Sequence, residues 1–373
     1  MKTAQPFQAD LVELAHELHA KGRISRRDFV AGLAMLGALP TALRAGPAGA
    51  QAQELVLCNW GGDAIPFFEE SWTAPYTADT GITVVQDGSG PSLGKIRAMV
   101  EAGAVAWDVC DSGGGSSIQL GEAGLIREID YNVVDRSKLF PGHDFRWGQT
   151  NYIYSFVLGY DTTEFGDNPP TSWADFFNLD DFPGPRSLRK DVLAHVEIAL
   201  MGAGVPKDEI YPITPDKEKL AFEMFEKIKA DTIFWNSGAE SQQMMRDRSV
   251  VMGCFWNTRL KVIHEETEGE WDWTWNQGML MPGAWVVPMN NPAGDAIWPF
   301  LASTQTPERQ VRLFELFANA PANPEAAPLV PPELKKFNAT DPDNYAVQLP
   351  SSSEYWGANL ARVNTTYLDL IAT

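Results

Sequence analysis

The chain has 373 residues, 44% of them hydrophobic and 21% charged, with a formal net charge of −20. The length suits two domains of ordinary size, or one large α/β unit with a second lobe, and the apolar fraction supports a sizeable core. A surface this acidic repels nucleic acid and anionic membrane and argues against both as partners. It is compatible with a cationic ligand, and equally with a surface that only keeps the protein soluble. Thirteen tryptophans point to a site lined with aromatic rings.

Residues 1–52 read as a leader. Ser25-Arg26-Arg27-Asp28-Phe29-Val30 is a twin-arginine pattern. A mildly apolar run from Val30 to Leu43 follows, then Ala50-Gln51-Ala52, an A-x-A cleavage signature. The apolar run is too short to span a membrane. The expected destination is the periplasm of a Gram-negative bacterium, reached in the folded state. Removing residues 1–52 takes away six basic and four acidic side chains and leaves a net charge of −22. Cys58, Cys110 and Cys254 remain, and their spacing fits no zinc or redox motif. Cys58 and Cys110 are expected to be two separately buried thiols, with a disulfide between neighbouring strands as the alternative.

Leu55-Val56-Leu57-Cys58 is a short apolar strand, broken by Asn59-Trp60-Gly61-Gly62-Asp63, with a helix over 65–76. A strand feeding a helix through a glycine turn places that turn at the carboxyl end of a sheet, where open α/β folds bind ligands. Trp60 and Asp63 are therefore expected to face a ligand; core packing for Trp60 and a helix cap for Asp63 are the alternatives. Residues 82–86 and 107–111 read as further strands, with a helix over 95–102 between them. Ser112 to Ser117 is a glycine-rich start to a helix, either offering N–H groups to an anion or forming a plain tight turn. The helix itself is expected over 118–124, and a short strand over 125–129. Residues 152–160 read as an extended apolar crossing between lobes. Helices follow over 191–201, 215–230 and 238–247, with strands over 234–235 and 250–257. Trp271 to Trp275 alternates as a half-buried strand does. Residues 285–288 form a second crossing, before helices over 292–303 and 307–318 and a last one from Glu354. Strands alternating with helices imply parallel sheets.

A first α/β lobe, a crossing, a second α/β lobe and a return crossing make a two-lobed α/β architecture with a strand hinge and a cleft between the two sheets. The stretches that fill this frame include Asn59-Trp60, Thr80-Gly81-Ile82-Thr83-Val84, Trp107-Asp108-Val109 with Ser112, and Gly121-Glu122-Ala123-Gly124-Leu125-Ile126. Thr171 to Phe176, Met252 to Asn257, Gln277 to Leu280 and Trp285 to Pro288 complete them. In this order they resemble the periplasmic solute-binding proteins of ABC importers, in the group similar to spermidine/putrescine-binding proteins. The resemblance implies a type II periplasmic-binding-protein fold, with 53–158 plus 286–330 in lobe 1 and 159–285 plus 331–373 in lobe 2. It implies a monomer without cofactor or metal that does no chemistry. Such a protein captures a polyamine by hinge closure and delivers it to a membrane permease and its ATPase.

Position by position, the resemblance places Trp60, Ser112, Asp191 and Trp256 in the site. Ammonium groups on an aliphatic chain want carboxylates for charge and indole faces for cation–π contact, each worth roughly 0.5–2 kcal/mol. The family pattern is incomplete here. Asp63 stands where an aromatic residue is expected, Gly114 in place of a tyrosine, and Ala194 and Gly283 near two expected acids. Asp63, Asp111 or Glu240 would compensate. Alternatively the ligand also carries a carboxylate, met by Arg259 and the Ser112–Ser117 N–H groups, as in an amino acid or an opine. Asp191 as a helix cap and Arg259 as a salt-bridge residue are the structural alternatives. His143, His195 and His264 are scattered and suggest no metal site. A secreted enzyme lacks support, since no G-x-S-x-G, H-E-x-x-H or dinucleotide fingerprint occurs. A ligand-binding partner of a membrane sensor would use the same fold as an importer component.

Overall fold

A computed structural model describes residues 54–140 and 143–372; the expected leader lies outside them. The sheet is carried by β1 (Glu54–Cys58), β2 (Thr83–Asp87), β3 (Val109–Gly113), β4 (Tyr152–Asp161), β5 (Arg186–Arg189), β6 (Thr232–Trp235), β7 (Met252–Trp256) and β8 (Trp271–Val286). Their spatial order is β2-β1-β3-β8-β4-β7-β5-β6. β1 is parallel to both β2 and β3, and β5 is parallel to both β6 and β7. These are the two parallel half-sheets of a two-lobed α/β fold. Between them run β4 and β8, antiparallel to each other from Trp271 to Pro282. β8 then continues onto β3 through Gly283–Val286, so one unbroken strand passes from the second lobe into the first.

The expected pieces at 271–275 and 285–288 are thus one 16-residue strand. Its continuity was hidden by a bulge between Thr274 and Met279, where Gln277 takes φ 61. Gln277 is held there by Trp173, whose backbone and indole N–H groups donate to its side-chain and main-chain oxygens. Other boundaries shift for local reasons. The first helix is three segments, α1 (Ala64–Phe68), a π turn over Glu69–Thr73, and α2 (Ala74–Thr80). Pro75 lacks the N–H that an unbroken α-helix needs, and the wider turn absorbs the fault. No ladder forms over 125–129. Ile126 makes a single bridge to Pro288, which has no N–H to extend it.

On the first lobe, α3 (Leu93–Glu101) and α4 (Gly114–Glu122) cover the sheet, with Ile96, Trp107 and Leu120 packed on Val56, Cys58 and Cys110. Cys58 and Cys110 are register partners on β1 and β3, and both are buried free thiols, as is Cys254. The second lobe adds α5 (His195–Gly202), α6 (Pro215–Ile228), α7 (Gly238–Arg246) and α8 (Asn257–Glu266). α9 (Pro307–Phe317) returns to the first lobe, where Arg309 and Arg312 pair with Asp79 and Glu70. The last helix, α10 (Ser353–Ala372), touches both lobes. Trp356 and Gly357 meet Gly115 and Ile118 of α4, and Tyr367 donates to the Arg189 carbonyl of β5.

Gly159 lies on β4 opposite Trp273 and Gly253. A Cβ there would stand 2.6 Å from a methyl of Leu260 on α8, so the helix packs on the hinge strand at a distance only glycine permits. Gly159→Ala is expected to lower stability by about 1–3 kcal/mol through overpacking, read as an earlier urea midpoint. An unchanged midpoint would show that Leu260 yields freely.

Candidate functional site

The turn after β1 is fixed by hydrogen bonds and close packing within its own lobe. Asn59 is fully buried. Its side-chain oxygen accepts from the Gly61 N–H at 2.9 Å and its amide donates to Gln86 at 2.7 Å. Gly61 and Gly62 take φ 68 and 60, and a Cβ on Gly61 would stand 2.6 Å from the Gly88 carbonyl. Gly90, whose N–H donates to the Asn59 carbonyl, adjoins the Trp60 indole, where a Cβ would stand 3.1 Å from the ring. This scaffold presents Trp60 to the second lobe.

Trp60 meets the Trp256 indole edge-on at 5.7 Å. Trp256 closes β7 and is itself packed by Trp235 at 4.9 Å and Tyr154 at 6.1 Å. The Arg189 guanidinium, from the end of β5, lies 4.6 Å from the Trp60 ring and 5.2 Å from Trp256. Asp191 follows it, with its carboxylate 3.8 Å from the guanidinium and accepting from the Leu193 N–H at 3.0 Å. That turn, with Ala194 at φ 72, delays α5 to His195 instead of the expected Asp191. Asp191 therefore does cap a turn, and it also lines the cleft.

Two small chambers meet at the Trp60–Trp256 pair and share Ser112 and Tyr154 as walls. The first adds Asp111, Tyr152, Thr258, Arg259 and Asn319; the second adds Ser116, Arg189, Asp191 and Leu193. Each encloses about 30 Å³. In the first chamber Arg259 is 2% exposed. Its Nε and Nη1 have no hydrogen-bond partner among the described residues. The guanidinium lies against Gly238, where a Cβ would stand 2.3 Å from Nε, which accounts for a glycine at the start of α7. Burial lowers its pKa to about 10, with Tyr152, Asp63 and Asp111 opposing the fall, so it stays charged at neutral pH. Asp111 is 2% exposed. It accepts from the Tyr152 hydroxyl on both oxygens and from Asn151 at 3.2 Å. Burial nevertheless pushes its pKa up to about 7, the two hydrogen bonds and Arg259 only limiting the rise.

Trp60, Ser112, Asp191, Trp256 and Arg259 thus come together on the chamber walls. Asp63 does not. Its carboxylate accepts from Gln242 and, at 3.2 Å, from Arg246 on α7 across the cleft, making a contact between lobes rather than a wall. It also makes no side-chain cap to α1. Glu240 is held by the Asn236 N–H. Arg259 forms no ion pair with a described residue, so the salt-bridge reading is replaced by a buried cation with free donors. Arg189, Tyr152, Tyr154 and Asn319 were missed. The signal for Arg189 was the pair Arg186 and Arg189 in a four-residue buried strand too charged to read as one. The glycine-rich run after Ser112 spans the end of β3 at Gly113, which is the N-cap of α4, and the first helical residues Gly114 and Gly115. Among the described residues no group of His, Cys, Asp and Glu suits a metal, and no helix is long and apolar enough to cross a membrane.

A family model described as "Bacterial extracellular solute-binding protein" matches residues 71–342. The gamma-aminobutyric acid-binding protein of Pseudomonas aeruginosa is 28% identical over 342 residues, 91% of this chain and 94% of its own length. A solved GABA receptor is 31% identical with a TM-score of 0.74, over 86% of this chain and 98% of that one. The binding protein MotA from A. tumefaciens B6, in complex with glucopine, is 28% identical with a TM-score of 0.81, over 85% and 99%. These neighbours share the two-lobed periplasmic-binding-protein fold, and they are solute-binding proteins, not enzymes. The chain belongs to the bacterial extracellular solute-binding proteins and is a substrate-binding component of the ABC-transporter type.

Proposed function

We propose that the protein captures a small zwitterion of the γ-aminobutyrate or opine kind in the periplasm, after twin-arginine export, and hands it to the permease of an ABC importer. The observation that carries this reading is the pairing, in one chamber, of a buried guanidinium with free donors and a buried carboxylate. Arg259 suits a solute carboxylate, with the Thr258 hydroxyl beside it. Asp111 suits an ammonium, and the Asn319 side-chain oxygen, buried without a partner, adds an acceptor. The Trp60 and Trp256 rings suit the methylenes between. Relatives described as binding gamma-aminobutyric acid and glucopine agree with this charge pattern.

A polyamine is the second reading, favoured by the same indole walls and by Asp111 and Asp191. Two buried guanidiniums, Arg189 and Arg259, stand against a ligand that carries only positive charge. Capture on either reading requires motion. A chamber of about 30 Å³ has room for about two waters, so a solute reaches it when the lobes part and is enclosed when they close. Closure brings Gly62 against Ala239 and Gln242 and completes the Asp63–Arg246 pair.

Calorimetry with γ-aminobutyrate, an opine, putrescine and spermidine tests the ligand class. Arg259→Gln is expected to weaken the carboxylate-bearing solutes at least tenfold, in line with about 1.5–3 kcal/mol for a hydrogen bond to a charged group. Tight spermidine binding to the unaltered protein, with none of γ-aminobutyrate, would install the second reading. Asp111 sets the pH dependence. Its carboxylate is charged above about pH 7, so affinity for an ammonium-bearing solute should be about tenfold weaker at pH 6 than at pH 8. Without solute the sign for folding is the reverse. A raised native pKa favours the protonated folded state, and this stability is lost as pH climbs from about 4 towards about 7. Asp111→Asn should abolish both slopes. Asp63→Ala, which touches no chamber wall, should speed solute release several-fold in stopped-flow tryptophan fluorescence, while leaving the thermal midpoint of the solute-free protein within a degree or two. An unchanged release rate would remove the pair from the closure step.

A further inference from the structure

The second chamber has chemistry that a one-carboxylate zwitterion leaves unused. Arg189 is 6% exposed and its Nε has no hydrogen-bond partner among the described residues. The indoles of Trp60, Trp235 and Trp256 surround its guanidinium. Those contacts engage the π faces, while guanidinium N–H groups donate in their own plane to acceptors; rings do not satisfy them. Asp191 is the nearest anion, at 3.8 Å, too long for a hydrogen bond, and its side chain keeps 28% exposure to solvent. The cation in this chamber is desolvated and the anion is not, so the chamber favours an incoming negative group.

An independent feature faces the same space. Gly113 and Ser116 line the chamber, and they belong to the amino-terminal turn of the nine-residue helix α4. The first N–H groups of a helix have no partner within it, and they carry the positive end of its dipole. Here the N-cap is a glycine that supplies no side-chain acceptor. Ser117 turns its hydroxyl to the Gly114 carbonyl instead. The helix start therefore offers donors to an anion, with Arg189 on the opposite lobe closing over it.

We infer that the second chamber, formed by Arg189 and the start of α4, binds a second carboxylate of the solute, so that the preferred ligand is an amino acid whose chain or nitrogen bears a further acidic arm. This rests on the zwitterion reading of the first chamber and extends it past the Trp60–Trp256 pair. Arg259 holds one carboxylate, Asp111 the amine, and Arg189 with α4 the other carboxylate.

The test is calorimetry with two probes, γ-aminobutyrate and N-(2-carboxyethyl)-γ-aminobutyrate, which differ by one carboxylated arm on the amine. The unaltered protein is expected to prefer the two-carboxylate probe at least tenfold. Arg189→Gln should reduce that preference to threefold or less. Ser116→Asp is a second variant that favours folding of α4, since an acid suits a helix start, and it should reduce the preference in the same way by repulsion. A preference that survives both substitutions overturns the proposal, as does an unaltered protein that binds γ-aminobutyrate equally well or better. Binding of neither probe overturns the zwitterion reading together with it, and binding of γ-aminobutyrate alone leaves that reading standing while the second-carboxylate subsite falls.

Discussion

A guanidinium cut off from water without an acceptor is costly, because the charge loses its hydration and gains nothing in return. Arg259 is in that position, and much of the surrounding architecture is arranged to hold it there. Gly238 makes room for it at the start of α7, Phe317 lies under it at 4.4 Å, and Asp111 and Tyr152 supply charge and polarity nearby without quenching its donors. A protein selected only for stability gains nothing from such a residue. A protein that must bind an anion from dilute solution gains much, since the unmet donors strengthen whatever completes them.

The hinge follows from the same constraint. A cleft that desolvates its ligand must first admit it, so its two walls have to separate. β4 and β8 run between the two half-sheets as a paired ribbon instead of hanging as loose linkers. The bulge at Gln277, locked by Trp173, lies on the second-lobe side of that ribbon, away from Gly283 where β8 crosses onto β3.

The fold was legible because its signals are local. Apolar runs such as Leu55–Cys58 and Tyr152–Tyr160 declare strands, and Asn59 with two glycines declares a turn at a sheet end. The site was legible where a residue sits at the end of a readable element, as Trp60, Ser112 and Trp256 do. Asp63 was misplaced because its partners, Gln242 and Arg246, are about 180 residues away in sequence and no local pattern reveals them. Arg189 was invisible for the opposite reason. Its strand is buried on every residue, yet three of its four residues are arginine or serine, and polar strands are recognised only after their burial is known. The helix expected over 118–124 in fact starts at Gly114; its first turn escaped because five of its first eight residues are glycine or serine, which disfavour helices in isolation, and Phe145, Trp147 and Trp356 pack directly on its glycines and outweigh that preference.

Cys58 and Cys110 stand side by side on β1 and β3, two residues before Trp60 and one residue before Asp111. Burial raises both thiols well above the ordinary cysteine range, so neither presents a thiolate to a reagent in the folded state. Ile96 of α3, Leu120 of α4 and Val286 of β8 belong to the cluster that buries them. In a Cys254→Ala protein, thiol-specific labelling is therefore expected to register local unfolding of the β1–β3 platform, separately from any change in indole emission that accompanies lobe movement.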